Sequence, residues 1–451
     1  MPKKPQRSKK KQSKPKPKKA AKSDTPKSQL ETESSEQDSG KPLAYEPALG
    51  SGANEQSTEL QFDPSVYDAF AAFGLEWPCL SCVPLTDCLS EQRTRPPFTL
   101  FGAAGTQAAS SSGNSLALFR LSGLSSPAHT VDDANPDDDD DEKDDEEEDD
   151  GEEMGKEANE QSGGSSAQSS RQTLHVRSVP HFGGVNRVRN LPQHSGILAC
   201  WSELGKVSVY DLRPIARSLA EETGSTTTSK SVSSKPIQVY SKHQCEGYAL
   251  GWSRAATGTL ASGDCKGRVH IWSPDDGMTE WFVRPLSGSS GGAHEGSVEE
   301  VVWSSLERSV LVSVGSDQMA HVWDSRQRNA TPAMSIHAHS DDINVADWSG
   351  AAASMLATGC EDGSFKVWDL RNTPADGSSP VAYFQHHQGP LTGLQWADFE
   401  SSVIATCASD NQVAFWDLAV EREEEEEESS ETNAEPPPDL PPQLMFVHRV
   451  R

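Results

Sequence analysis

An all-β fold built from repeated, short-stranded units is what this sequence predicts, on three observations. The first is a register. Counted from His339, Trp348 stands at +9, Thr358 at +19, Asp362 at +23 and Trp368 at +29; His294 gives Trp303, Ser313, Asp317 and Trp323 at the same offsets, and His387 gives Trp396, Thr406, Asp410 and Trp416. The second is the run type: Glu299 to Trp303 and Phe365 to Trp368 are short, β-branched or aromatic, and bounded by turn residues. The third is the turn chemistry between such runs, Glu361-Asp362-Gly363-Ser364 and Ser409-Asp410-Asn411-Gln412. The register fades towards the N-terminus. From His243 it still gives Trp252, Ser262 and Trp272, with Lys266 where the Asp should stand, and from His181 only the closing Tyr210-Asp211 survives.

A period of about 40 to 50 residues with His early and Trp-Asp late resembles the WD-repeat family, which implies a β-propeller of four-stranded blades. A hydrolase triad would be needed once, whereas this set recurs. The resemblance instead implies hydrogen-bonded structural tetrads: His294, Ser313, Asp317, Trp323; His339, Thr358, Asp362, Trp368; and His387, Thr406, Asp410, Trp416. Buried polar groups must be paired, and such a network fixes strand register from within. Asp362→Ala is therefore expected to leave a buried His and Thr short of a partner, at about 1–3 kcal/mol.

In chain order, the 451 residues are 34% hydrophobic and carry a net charge of -28, so a large ordered part is diluted by polar segments. The first 22 residues hold eleven Lys/Arg, no acid and no apolar run. They read as a nuclear or nucleolar address, as a nucleic-acid contact, or as a solvated tail, and not as a signal peptide. No apolar run approaches the roughly 18 residues needed to cross a bilayer, so no membrane partner is expected. Residues 1–60 are expected to be disordered, basic then polar.

Order is expected from 61–82. Asp63 suits an N-cap and Pro64 the first helical position; Val66, Phe70 and Phe73 share one helical stripe, and Gly74 stops the helix. Leu75 to Cys82 reads as a strand, with Pro78 arguing for an edge position. A helix followed by Trp77-Pro78-Cys79-Leu80-Ser81 resembles the histone-binding branch of WD proteins, and the resemblance implies that this strand completes the last blade and closes the ring.

The propeller proper is expected over 83–451. Blade one spans about 80–124, with an acidic insertion at 125–171 whose residues 132–153 hold seventeen Asp/Glu against one Lys. Such a block serves as an interaction tail for something basic, or as a solubilising loop. Blades two to six are placed at about 172–214, 236–278, 281–326, 332–371 and 380–418, and the linker 217–235 is too rich in Ser and Thr to pack. An acidic, proline-ended loop follows at 421–442. His448 is read as opening a seventh repeat, whose Trp would fall near 477, so a seven-bladed design with its last blade cut off after 451 is expected.

The eight cysteines are read as reduced core residues, since Cys79-Leu80-Ser81-Cys82 has no second pair and no His at ligand spacing. No phosphate-cradling loop, metal cluster or paired-carboxylate pattern stands out, so no catalytic, cofactor or metal residue is assigned and the chain is read as non-enzymatic.

Trp-Pro-Cys-Leu-Ser at 77–81, the long acidic insertion and Leu-Pro-Pro-Gln-Leu at 440–444 together resemble the glutamate-rich WD-repeat family. That resemblance implies a scaffold or chaperone in ribosome biogenesis, in the nucleus and nucleolus. It would escort a basic large-subunit ribosomal protein, L-three, with histones and pre-ribosomal particles as further partners and direct nucleic-acid contact only through residues 1–22. It also implies a cargo site: Val66, Phe70 and Phe73 opposite Glu423, Glu424, Glu425, Glu426, Glu427 and Glu428, with Pro441 and Pro442 closing the loop. The alternative is a substrate receptor of a cullin-four ubiquitin ligase, because Trp323-Asp324-Ser325-Arg326 and Trp368-Asp369-Leu370-Arg371 fit the WD-x-R pattern and would present Arg326 and Arg371 to the ligase adaptor.

Overall fold

A computed structural model describes residues 69, 73–85, 96–125, 172–222, 228–286, 293–327, 331–421 and 440–449. The chain divides into two compact units, Met1–Glu55 and Gln56–Arg451, and every described residue belongs to the second. Within it, six sheets follow one another, each built on a four-stranded antiparallel meander. The inner strands are Cys79–Pro84, Val185–Asn190, Leu250–Trp252, Val298–Trp303, Ile343–Trp348 and Leu391–Trp396. They pack side by side in chain order, which is the arrangement of a WD40 propeller.

Because every sheet starts at its inner strand, the connections from first to second and from third to fourth strand emerge on one face, here the lower. The others emerge on the upper face. The turns at the upper ends of second and third strands need one left-handed residue, supplied by Gly205, Gly267, Gln318, Gly363 and Asn411 (φ between 62° and 83°). At Gly363 a Cβ would also come within 2.3 Å of the His387 carbonyl, so only glycine fits there.

The core lies between the sheets. Trp201, Trp272, Trp323, Trp368 and Trp416 are each under 2% exposed, and a seam such as Val298, Val301 and Trp303 against Ala261 and Ile271 joins sheet four to sheet three. Truncating an indole of this kind typically costs about 3–5 kcal/mol.

Four sequence expectations are corrected. Six sheets form among the described residues, not seven, and Leu444–Arg449 is the fourth strand of the sixth, so His448 lies within that strand. The N-terminal strand pairs with Phe98–Thr106 as the innermost strand of the first sheet; it does not complete the last one. Each sheet is also displaced by one strand from its sequence repeat: Trp281–Pro285 closes sheet three and Met334–His337 closes sheet four. Finally, described parts of the 217–235 segment do pack. Helix α1, Arg213–Ala220, buries Ile215, Ala216 and Leu219, and Thr228–Ser231 adds a fifth, parallel strand beside Thr173–Pro180 of the first sheet. Arg120 fastens the helix end by donating to the Leu219 and Ala220 carbonyls (3.4 and 3.3 Å), and the buried Arg177 pairs with Glu222. Among the described residues no helix is long and apolar enough to cross a membrane. The N-terminal helix, residues 1–60 and most of both acidic segments lie outside the described residues.

Candidate functional site

The recurrent polar sets come first. In sheet four, the Trp323 indole donates to Ser313 Oγ (2.9 Å), Ser313 Oγ lies 2.7 Å from His294 Nε2, and His294 Nδ1 lies 2.8 Å from Asp317 Oδ1. Sheet six repeats this with Trp416, Thr406, His387 and Asp410, at 2.9, 2.8 and 3.1 Å. A ring that donates from Nδ1 and accepts at Nε2 satisfies every member. Ser313 is wholly buried and Thr406 is 1% exposed, so these hydroxyls are spent on their neighbours and closed to a substrate.

Three sheets depart from the expected set. In sheet five, Trp368, Thr358 and His339 are linked at 2.9 and 2.9 Å, but His339 Nδ1 faces Ser364 Oγ at 3.5 Å. The Asp362 carboxylate, on an exposed residue, accepts the Ser364 backbone N–H at 2.8 Å and lies against Cys360, without a hydrogen bond to His339. Asp362 therefore does not complete the tetrad: it sits on an exposed turn whose own N–H groups compete for the carboxylate. In sheet three the missing Asp is present after all, two residues earlier. Asp264, wholly buried, lies 2.7 Å from His243 Nδ1 and accepts from Arg268 Nε at 2.8 Å. Burial alone would raise its pKa, yet the His243 hydrogen bond and charge, together with the Lys266 and Arg268 backbone N–H groups, outweigh it and hold Asp264 below the usual carboxylate value. Its signal in the sequence was the acid directly after Ser262-Gly263, with Arg268 four residues on. In sheet two, Cys200 Sγ takes the hydroxyl's place, 3.6 Å from His181 Nε2, and Tyr210 replaces the Trp.

A charged group in the channel between the inner strands was not read from the sequence. Arg187 and Arg189 of sheet two both reach Glu300 of sheet four, at 3.5 and 3.1 Å. Asp347 of sheet five stands in the same lining.

Of the expected cargo residues, Phe73 is described, 39% exposed, its ring 5.3 Å from that of Phe119 on the first sheet. With Leu75, Trp77 and Pro78 it lines a cavity of about 440 Å³. Pro441 and Pro442 are half-buried and lead into the outer strand of sheet six, where Leu444 N–H donates to the Pro441 carbonyl at 3.0 Å. Phe73 precedes the upper end of one inner strand, whereas the two prolines enter from the lower face of another sheet. Val66, Phe70 and Glu423 to Glu428 lie outside the described residues.

The attachment points of both acidic segments are described. Leu124 and Thr173 end adjacent antiparallel strands, with Ser122 Oγ and Thr173 Oγ1 2.8 Å apart, so 125–171 leaves and returns at one place on sheet one. Residues 421–439 do the same on sheet six, where Asp417 N–H donates to the Gln443 carbonyl and Gln443 Nε2 to that of Val420, both at 2.9 Å. Both are third-to-fourth-strand connections, so both segments are rooted on the lower face. Arg326 and Arg371 lie on that face too, 75% and 74% exposed, each forked onto its own Asp324 or Asp369 with a 2.6 Å contact.

Comparison with known proteins agrees with this geometry. Residues 57–125 match the family model of the histone-binding protein RBBP4 and its counterpart in the CAF1 complex, and residues 330–369 and 378–417 match the WD domain, G-beta repeat. The chain is 39% identical over 401 residues to Protein HEAT STRESS TOLERANT DWD 1 of Arabidopsis thaliana, covering 88% of this chain and 82% of that one. It is 33% identical to Ribosome assembly protein rrb1 of Schizosaccharomyces pombe (89% and 78%) and 35% identical to Glutamate-rich WD repeat-containing protein 1 of Dictyostelium discoideum (62% and 53%).

Proposed function

This chain belongs to the glutamate-rich WD-repeat family of ribosome-assembly proteins, and from that premise we propose that it escorts a basic large-subunit ribosomal protein, L-three, in the nucleus and nucleolus, without catalysis of its own. The observation that carries the reading is the rooting of two acidic segments on one face of a rigid propeller. Ribosomal proteins carry dense Lys/Arg that would otherwise neutralise phosphate on any nucleic acid they meet. Two Glu/Asp tracts in segments rooted on the lower face compete for that charge without sequence demands and speed encounter. Apolar residues around Phe73, towards the opposite face, would hold a further part of a cargo that the long acidic segments capture, and histones, equally basic, fit the same chemistry. The test is binding of purified L-three to the full chain at low and high salt. Affinity that collapses with salt supports the reading, and absence of binding at low salt rejects it.

A second reading has one observation behind it. Arg326 and Arg371 are exposed yet held in fixed forks, and one relative carries DWD in its name. On that reading the propeller is a substrate receptor of a cullin-four ubiquitin ligase.

A further inference from the structure

The inner strands enclose a cavity of about 880 Å³, and its charged groups are unequally satisfied. Glu300 already holds two guanidinium groups. Asp347 holds none in a salt bridge: Oδ2 accepts the Trp396 backbone N–H at 2.8 Å, and burial pushes its pKa up to about 6 against the Trp396 and Trp348 backbone N–H groups and the charge of Arg254. Two further lining groups, Gln193 Oε1 and Trp396 Nε1, are buried without a hydrogen-bond partner among the described residues, and Trp396 is 4% exposed. A buried acceptor and a buried donor left open are costly unless something meets them.

The lower mouth of this cavity is crossed by one ion pair. Arg254, in the first-to-second-strand loop of sheet three, reaches Asp398 in the corresponding loop of sheet six, 144 residues on. Their side chains are 48% and 63% exposed, so the strap is weakly held and readily exchanged. Beside it, Phe399 is 87% exposed and follows Asp398, and Leu306 is 55% exposed and follows Ser305, another lining residue. Both acidic segments are rooted on this same face.

We propose that the lower mouth is a binding site for an arginine side chain of a basic polypeptide. The incoming guanidinium displaces Arg254 from Asp398 and reaches inward to Asp347 and Gln193 Oε1, while Phe399 and Leu306 grip apolar neighbours in the partner. Arginine is preferred over lysine because its planar fork meets a carboxylate and an amide oxygen together, and because it is the less strongly hydrated cation. The backbone carbonyl of the same residue supplies the acceptor that the Trp396 indole lacks. The site deepens the basic-cargo reading and rests on it only for the choice of partner.

The experiment uses the full chain with ¹⁵N-labelled tryptophan, titrated with N-acetyl-arginine amide and followed at the indole N–H signals. Saturable movement of the Trp396 signal is expected. Arg254→Ala, which removes the internal competitor, should tighten binding at least threefold. The exposed Asp398→Asn and the buried Asp347→Asn should each weaken it at least fivefold, and N-acetyl-lysine amide should bind more weakly than the arginine compound. Asp398→Asn keeps the test sound should Asp347→Asn fail to fold. A Trp396 signal that does not move, or equal affinity in the wild type, Arg254→Ala and Asp398→Asn, overturns the proposal. If the arginine compound binds but L-three does not, the cargo reading falls alone; if L-three binds and Trp396 is unmoved, the mouth site falls alone.

Discussion

His243 Nδ1 lies 2.7 Å from Asp264 Oδ2, and Arg268 Nε lies 2.8 Å from the same oxygen: one wholly buried carboxylate holds both an imidazole and a guanidinium. Removing it strands two donors, one of them charged. Asp264→Ala should therefore cost about 3 kcal/mol in urea unfolding. Asp362→Ala, on an exposed turn whose carboxylate is met by Ser364 and Cys360 and by no charged partner, should cost less than Asp264→Ala, about 1 kcal/mol. Equal losses in the two variants would show that the sheet-three network is not special.

Acid should unfold the propeller through its histidines. Burial pushes His270 down to about 3 and His321 and His339 down to about 4, against 6.5 in a free chain. Between those values the unfolded chain binds more protons than the folded one, so the contribution is full above pH 6.5 and is lost as pH falls towards 4. At pH 5 each ring forfeits about 2 kcal/mol. Urea midpoints measured from pH 7.5 to 5 should fall steeply, and His321→Gln should flatten the slope by one ring's share among the buried histidines. A flat profile would contradict this.

Asp347 should act with the opposite sign. Its pKa, raised to about 6, means the folded chain holds the proton longer, so its contribution is fully present below 3.8 and is lost as pH rises through 6. Asp347→Asn keeps the acceptor for Trp396 N–H and should be the more stable form at pH 7, on the order of 3 kcal/mol, with little gain near pH 4. A variant less stable than wild type at pH 7 would mean the carboxylate is needed charged.

The tetrad offsets were legible because a Trp–Ser/Thr–His chain of hydrogen bonds fixes the number of residues between its members. Sheet boundaries were less so. The His that opens a repeat follows the outer strand of the preceding sheet, so the repeat visible in the sequence and the sheet in space differ by one strand. Asp264 was missed because an acid two residues early, inside the turn, reaches His243 as well as one at the usual place. Composition hid α1: Ile215, Ala216 and Leu219 form a buried stripe, but Ser and Thr surround them. Nothing local in Cys79–Pro84 says which sheet it joins, since pairing is decided by the partner Phe98–Thr106. The Arg187–Glu300–Arg189 group joins residues more than a hundred positions apart and leaves no pattern in the sequence.

For the ligase reading, Arg371→Ala should abolish pulldown of the cullin-four adaptor while leaving binding of a basic cargo unchanged. Its exposed side chain touches only its own Asp369, so the thermal midpoint should hardly move. Retention of the adaptor by the doubly substituted Arg326→Ala, Arg371→Ala chain would end that reading.

The central claim, that rooted acidic segments capture a basic protein which apolar contacts then hold, is tested most directly by stopped-flow association and dissociation with L-three at two salt concentrations. Deleting 132–153 should slow association severalfold at low salt, lose that effect at high salt, and leave release unchanged; Phe73→Ala should do the reverse, speeding release alone. Association rates that ignore both salt and the deletion would contradict the account.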